Sequence, residues 1–242
     1  MAAGQATRLR PLTDNCPKCL LSVGAETILA RSIRLLSDRG IKSFTIVDGF
    51  CGDMIRAALL EGFPDLSFTF VRNEDFAKTN NAWSLMLANC RGDEPIFLLD
   101  SDILFTSEVL DKILADGAPN RLGLRTTGEV GEEEMKVRLD AAGKVAALSK
   151  EFPPTEAAGE SVGLEIFSAD FVAALHKVLH RRMHVDKLVN EYYEEAFTEL
   201  ASAGHEIEPV DLGELRCMEI DTPEDLNDAR RIFGVAEHGE AC

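Results

Sequence analysis

Three short apolar runs, at residues 44–47, 66–71 and 95–99, are separated by stretches whose apolar positions follow the helical period. Runs that are apolar at successive positions bury both faces of a sheet, and parallel neighbours need a crossover of roughly a dozen residues or more, usually a helix. The order therefore predicts an α/β fold with a mainly parallel sheet and helices packed on it. Ile28, Ile33, Leu35 and Leu36 make the first helical stripe, closed by Gly40. Residues 54–60 make a second, broken by Gly62 and Pro64, and residues 83–88 begin a third.

The middle of the chain changes character. Residues 122–125, 135–139, 145–149 and 162–167 are strand-like runs divided by acidic or Gly/Pro segments too short for helices. This predicts a small antiparallel insertion beside the main sheet. Over residues 185–203, Leu188, Val189, Tyr192, Tyr193, Ala196, Phe197 and Leu200 share one helical stripe, ended by Gly204. A strand at 207–212 and a segment at 217–221 follow. Thr222, Pro223 and Asp225 then supply an N-cap, a first-turn proline and an acidic capping residue for a last helix. No repeat or linker divides the 242 residues, which predicts one domain over 1–242.

Acidic residues outnumber basic ones 42 to 25, a formal net charge of −17. Such a chain repels nucleic acid and anionic membrane surfaces at long range, so neither is expected as a partner. Any phosphate it binds must be met by a local cluster of cations or by a metal. No apolar run approaches the ~20 residues of a membrane span, and the N-terminus lacks a signal peptide's layout. A cytoplasmic protein without membrane insertion is expected. Of the six cysteines, only Cys16 and Cys19 stand at C-x-x-C spacing, and Pro17 and Lys18 between them belong to a polar loop. Free thiols in a reducing compartment are the expectation for these two and for Cys51, Cys90, Cys217 and Cys242.

Four segments carry chemistry-bearing residues. Residues 2–18 combine Ala2, Ala3 and Gly4, small enough for close backbone approach to a ligand, with the cations Arg8, Arg10 and Lys18. This run matches neither G-x-x-x-x-G-K-[ST] nor G-x-G-x-x-G, and an ordinary turn is the competing reading. Asp100 and Asp102 follow the apolar run 95–99, where open α/β sheets place their ligand crevice; either could hold Mg²⁺ or cap a turn. Glu219 and Asp221 stand at a second strand-to-loop junction and could complete such a site or serve as caps. The amides of Asn80 and Asn81, at a helix start, suit a base edge or ribose and equally an N-cap.

Together these segments resemble the nucleotidyltransferase superfamily, whose fold is GT-A-like and Rossmann-related. Residues 2–18 are similar to its signature L-A-A-G-x-x-T-R-L-R-P-L-T…P-K. Residues 79–85 (T-N-N-x-x-S-L) and 191–197 (E-Y-Y-E-x-A-F) are similar to the choline-phosphate and 2-aminoethylphosphonate cytidylyltransferase branch. The resemblance implies three layers around a mixed sheet, with residues 1–120 binding nucleotide and 121–242 binding acceptor. It implies Mg²⁺-dependent transfer of CMP from CTP to phosphocholine or 2-aminoethylphosphonate, with release of pyrophosphate. The alternative is a sugar-1-phosphate nucleotidyltransferase using UTP, dTTP or GTP.

Motif position then implies roles. Asp102 and Asp221 hold Mg²⁺, with Asp100 in support; Lys18 meets the α-phosphate and Arg8 the β- and γ-phosphates. Ala2, Ala3, Gly4, Asn80 and Asn81 contact the nucleotide, and Lys150, Tyr192 and Glu194 the acceptor. A quaternary ammonium wants an aromatic box, for which Trp83, Tyr192 and Tyr193 are the candidates. Glu191, Glu194 and Asp186 suit a primary ammonium instead. The family places a strand immediately before residue 2, so either that strand lies outside these 242 residues or the sheet is built without it. CTP and a small phosphorylated or phosphonate acceptor are the expected partners, with a homodimer left open.

Overall fold

The computed structural model describes residues 1–115 and 117–234. Single helical turns at Thr7–Leu9 and Lys18–Leu20 precede a hairpin (β1, Ser22–Val23; β2, Glu26–Thr27) and helix α1 (Ile28–Asp38). Thr27 caps α1 by accepting the Ala30 N–H, one of the amides a helix start leaves open. Strand β3 (Ser43–Asp48), helix α2 (Gly52–Gly62) and strand β4 (Ser67–Arg72) form a parallel βαβ unit. Helix α3 (Asn81–Leu87), strands β5 (Ile96–Leu99) and β6 (Ile103–Phe105), and helix α4 (Ser107–Leu114) follow. Next come β7 (Arg121–Arg125), the hairpin β8 (Lys136–Leu139) and β9 (Val145–Ser149), and the long β10 (Gly159–Phe167). Helices α5 (Ala169–His180) and α6 (Glu194–Ser202), strands β11 (Glu208–Asp211) and β12 (Cys217–Glu219), and helix α7 (Pro223–Phe233) complete the chain.

The sheet is built around β10. Its last residues pair antiparallel with β5 on one side, β7 pairs with it on the other, and β11 extends β7 in parallel. Beyond β5, the Met1 amino group donates to Leu99 O and the Met1 carbonyl accepts from Ser101 N–H. Ala2 N–H donates to Val47 O of β3 at 2.8 Å. The order is therefore β4–β3–(Met1, Ala2)–β5–β10–β7–β11, with Met1 and Ala2 on the last rung of the slot between β3 and β5. Because successive strand residues face opposite ways, Leu98, Leu122, Leu124 and Phe167 meet the helices α3, α5 and α6. Ile103, Phe105 and Leu164 meet α1 and α4 on the other face. No helix of the described residues is long and apolar enough to cross a membrane.

Two expectations are corrected by this topology. Of the four middle strands, β7 and β10 belong to the main sheet, and only β8 and β9 form the antiparallel extension, reached through the first rungs of β10. The helix expected over 185–203 begins only at Glu194, and Val185, Leu188 and Tyr192 are exposed. Residues 181–185 instead form a π-turn, and Lys187 takes a left-handed φ of 62°. Tertiary bonds explain the break: the first amides of α3 need acceptors, and Asn80 N–H and Ala82 N–H take Val189 O and Glu191 O. The helices α4 and α5 were not anticipated, although Ser168 caps α5 by accepting the Phe171 N–H. Cys16, Cys19, Cys51, Cys90 and Cys217 are free thiols, and Cys242 lies outside the described residues.

Phe171 stacks on Phe167 with ring centroids 4.3 Å apart, and Phe197 meets Phe167 edge-on at 4.9 Å, so these rings join α5 and α6 to the sheet. Phe171→Ala is expected to lower the unfolding free energy by about 3–5 kcal/mol in urea titration.

Candidate active site

The β6–β12 ladder decides where the acids meet. Glu219 stands opposite Ile103, and pairing continues one step further as Ile220 N–H donates to Asp102 O at 3.1 Å. Asp102 and Asp221, distant in the chain, are thereby set side by side at the end of the sheet. One carboxylate oxygen each from Asp102, Glu219 and Asp221 lie within 4.8 Å of one another. Glu219 was a candidate in its triplet but received no metal role from motif position; the strand pairing brings it in as a third donor.

Two cations of the N-terminal loop meet this cluster. Lys18 Nζ lies 2.8 Å from Asp102 Oδ2 and 2.7 Å from Asp221 Oδ1, and the Arg8 guanidinium also pairs with Asp221. Pro17 leads Lys18 into its single turn, which buried Cys19 anchors. Arg8 is held by its fully buried neighbour Leu9, and the Thr13 hydroxyl donates to Ala6 O at 2.8 Å to close the loop. Burial by itself would lower the Lys18 pKa, but the charges of Asp102 and Asp221 outweigh it and raise it. Burial likewise works to raise Asp221, and Lys18 and Arg8 win, holding its carboxyl below the usual value. A divalent cation fits the donor set: three hard carboxylate oxygens converge, and their present counter-charges are the tips of two long side chains.

The cluster forms one wall of a cleft of about 460 Å³. Ala2, Gly4, Arg8, Lys18, Asn80 and Asn81 line the side expected to take the nucleotide. Ala3 is not among the lining residues: it is buried, and its carbonyl accepts the Phe50 N–H at 3.1 Å. Arg10 also stays outside the site, exposed and paired with Asp14 at 3.4 Å. The side-chain oxygen of Asn80 accepts the Asn81 N–H at 2.8 Å, and that of Asn81 accepts the Tyr193 N–H at 2.9 Å. Asn81 also hydrogen-bonds Glu194, so its amide braces the wall of the cleft.

Lys150, Tyr192 and Glu194 line the other end. Glu194 is only 6% exposed, and its Oε2 has no partner. Burial, together with the Asp100 charge, pushes its carboxyl up to about 8. Lys150 Nζ sits 5.1 Å from the centre of the Tyr192 ring. Trp83 is elsewhere, edge-on to His184, and Tyr193 is in the core, its hydroxyl donating to Asp100 Oδ2 at 2.7 Å. Glu191 and Asp186 are paired with Arg182 and Arg181, which leaves Glu194 as the carboxylate of that group on the cleft. Asp100 stands behind the acidic cluster rather than in it, and burial and the charge of Asp102 push it up to about 6.

The sequence reading missed Glu134, Met135, Ser161 and Gly163, which also line the cleft. They arrive through the hairpin β8–β9 and a bulge in β10 between Ser161 and Glu165. Gly163 has a φ of +69°, and a Cβ there would lie 3.3 Å from Asp100, so the position favours glycine. A glycine inside an apolar run was the available signal.

Residues 1–196 match the MobA-like NTP transferase domain. The chain belongs to that family. Nucleotidyltransferases of this family generally use a divalent metal, as the acidic cluster allows. The nucleotidyltransferase is 27% identical over 95% of its length to a CMP-5'-(3-aminopropyl)phosphonate synthase of Streptomyces rubellomurinus, of which it spans only 37%. It is 26% identical to a 2-aminoethylphosphonate cytidylyltransferase of Lancefieldella rimae, covering 89% of this chain and 86% of that one. Among solved structures, the inositol-1-phosphate CTP transferase of T. maritima superposes with a TM-score of 0.80 at 20% identity, over 100% of this chain and 96% of that one, which shows the shared fold.

Asp102→Ala removes a donor from the cluster and a partner from Lys18. We expect weaker Mn²⁺ binding by titration and turnover lowered by about two orders of magnitude, with the thermal midpoint little changed. Near-normal activity would refute the metal assignment.

Proposed function

We propose that this nucleotidyltransferase transfers CMP from CTP to a small acceptor with a primary ammonium at one end and a phosphonate or phosphate at the other, releasing pyrophosphate. One observation carries the reading: the buried Glu194 carboxylate, with Oε2 unpartnered, shares a cleft with Lys18 and the Asp102–Glu219–Asp221 cluster. A buried carboxyl oxygen without a partner is costly, and an ammonium N–H is a donor that relieves it while favouring the ionised form of the group. A quaternary ammonium has no N–H to offer and needs aromatic faces. Among the described residues, Tyr192 is the one aromatic residue lining the cleft, and its ring faces Lys150. The two curated relatives carry aminoalkylphosphonate substrates in their names, which supports the same acceptor class and cytosine as the base.

In the proposed reaction an acceptor oxygen bonds to the α-phosphorus, and the bond from that phosphorus to the bridging oxygen of pyrophosphate breaks, the electron pair leaving with pyrophosphate. The acceptor oxygen is already anionic near neutral pH, so no general base is required. The obstacle is the approach of one anion to another, which positioning and fixed positive charge relieve. In this reading Lys18, at the acidic cluster, meets the α-phosphate, and Arg8 follows the departing pyrophosphate. Lys150 offers its charge to the acceptor's phosphonate, and Glu194 orients the far end through its ammonium. Asp102, Glu219 and Asp221 would hold the divalent ion, Mg²⁺ in this reading, whose charge offsets that of the phosphates.

Pyrophosphate release with CTP, measured across 2-aminoethylphosphonate, 3-aminopropylphosphonate, phosphocholine and glucose-1-phosphate, tests the reading. The primary amines should be preferred over phosphocholine by about tenfold or more in kcat/KM. Glu194→Gln should raise the KM for the amines by about tenfold while leaving CTP binding unchanged. Preference for glucose-1-phosphate, or an unaltered KM in the variant, would overturn it.

A further inference from the structure

Lysine is rarely taken out of water, because its ammonium must then find three acceptors. Lys136, at the start of β8, is 0% exposed. Its ammonium donates to Glu132 O, to Glu134 O at 3.3 Å and to Lys150 O at 2.7 Å. All three donors are used, and all three acceptors are backbone carbonyls. They come from two places, the segment that leads into β8 and the residue just beyond the end of β9. Backbone pairing alone does not join those places at this point, because the Lys136 rung pairs with Ser149 and Glu160, one residue short of Lys150. Of the three residues tied by the ammonium, Glu134 and Lys150 line the cleft, as does Met135, which lies between Glu134 and Lys136 in the chain.

We infer that Lys136 is a positioning residue that fixes Lys150 and the 132–135 segment at the acceptor end of the cleft. The inference rests on the proposed reading of Lys150 as an acceptor contact. A buried apolar residue would fill the same space without the desolvation cost, so the charge is explained by what it ties together. With its backbone held, Lys150 projects its ammonium toward the Tyr192 ring and lowers the Glu194 carboxyl by its charge, so displacement of Lys150 acts on both acceptor contacts.

Lys136→Met keeps the length and apolar stem and removes the donors. With CTP and 2-aminoethylphosphonate, the KM for the acceptor should rise by about tenfold or more, while the affinity for CTP stays within about twofold. A structural role alone would move both constants together with the thermal midpoint, and that outcome, or an unchanged acceptor KM, overturns the inference. If K136M does not fold, K136Q, with two N–H donors on a shorter stem, takes its place under the same expectation. Amide hydrogen exchange without substrates separates this inference from the proposed reaction. The amides of 132–135 and 150–152 should exchange faster in the variant while those of α3 do not, even if none of the four acceptors turns over in the wild type. Unchanged exchange at those amides would overturn the tie.

Discussion

One oxygen each from three carboxyl groups lies within 4.8 Å of the others, in a chain of net charge −17. The Lys18 ammonium between Asp102 and Asp221 offsets the repulsion of those two, while burial and the neighbouring acids push Glu219 up to about 8. The two contacts of Lys18 also fasten the N-terminal loop to the end of the sheet, where Arg8 adds a second hold on Asp221. The loop and the acids are therefore one electrostatic unit. A site for anionic substrates has to concentrate positive charge locally against the field of the whole molecule, and the pairing of Lys18 and Arg8 with these acids holds two cations at the cleft. An acidic chain thus handles polyanions without a basic surface.

A second network joins the two ends of the cleft. Asn81, at the start of α3, accepts from Tyr193 N–H and hydrogen-bonds Glu194, while the Tyr193 hydroxyl reaches Asp100 beside the acidic cluster. Buried polar groups of this kind are stable only when their partners are fixed. These bonds hold the start of α6 where Glu194 enters the cleft, and Glu194 Oε2 is left without a partner among the described residues. The irregular segment before α6 exists to make these contacts, since its carbonyls at Val189 and Glu191 satisfy the first amides of α3.

Much of the first half was legible because its signals are local. The apolar runs 44–47, 66–71 and 95–99 became β3, β4 and β5, and the Thr222–Pro223–Asp225 capping pattern became the capping box of α7. The expected helix over 185–203 failed because its apolar spacing was helical while its backbone partners lay in α3. Tyr192 and Tyr193 stood on one predicted stripe; the chain's turn before Glu194 sends Tyr193 to the core and Tyr192 to the cleft. No count of aromatics could separate those fates.

The sequence alone determined which residue types could perform the chemistry. The loop of small residues with Arg8 and Lys18, the acids after two strands, and the family those motifs resemble all depend on short spacings that survive without coordinates. Tertiary structure alone decided which of them meet. The register of β6 with β12 carries Glu219 into the cluster beside Asp102 and Asp221, and the left-handed Gly163 lets β10 serve both the main sheet and the β8–β9 hairpin. Ala3 and Arg10 fall outside the cleft for the same reason: convergence is set by strand pairing between distant segments, and a pattern read along one chain holds no record of its partner's register.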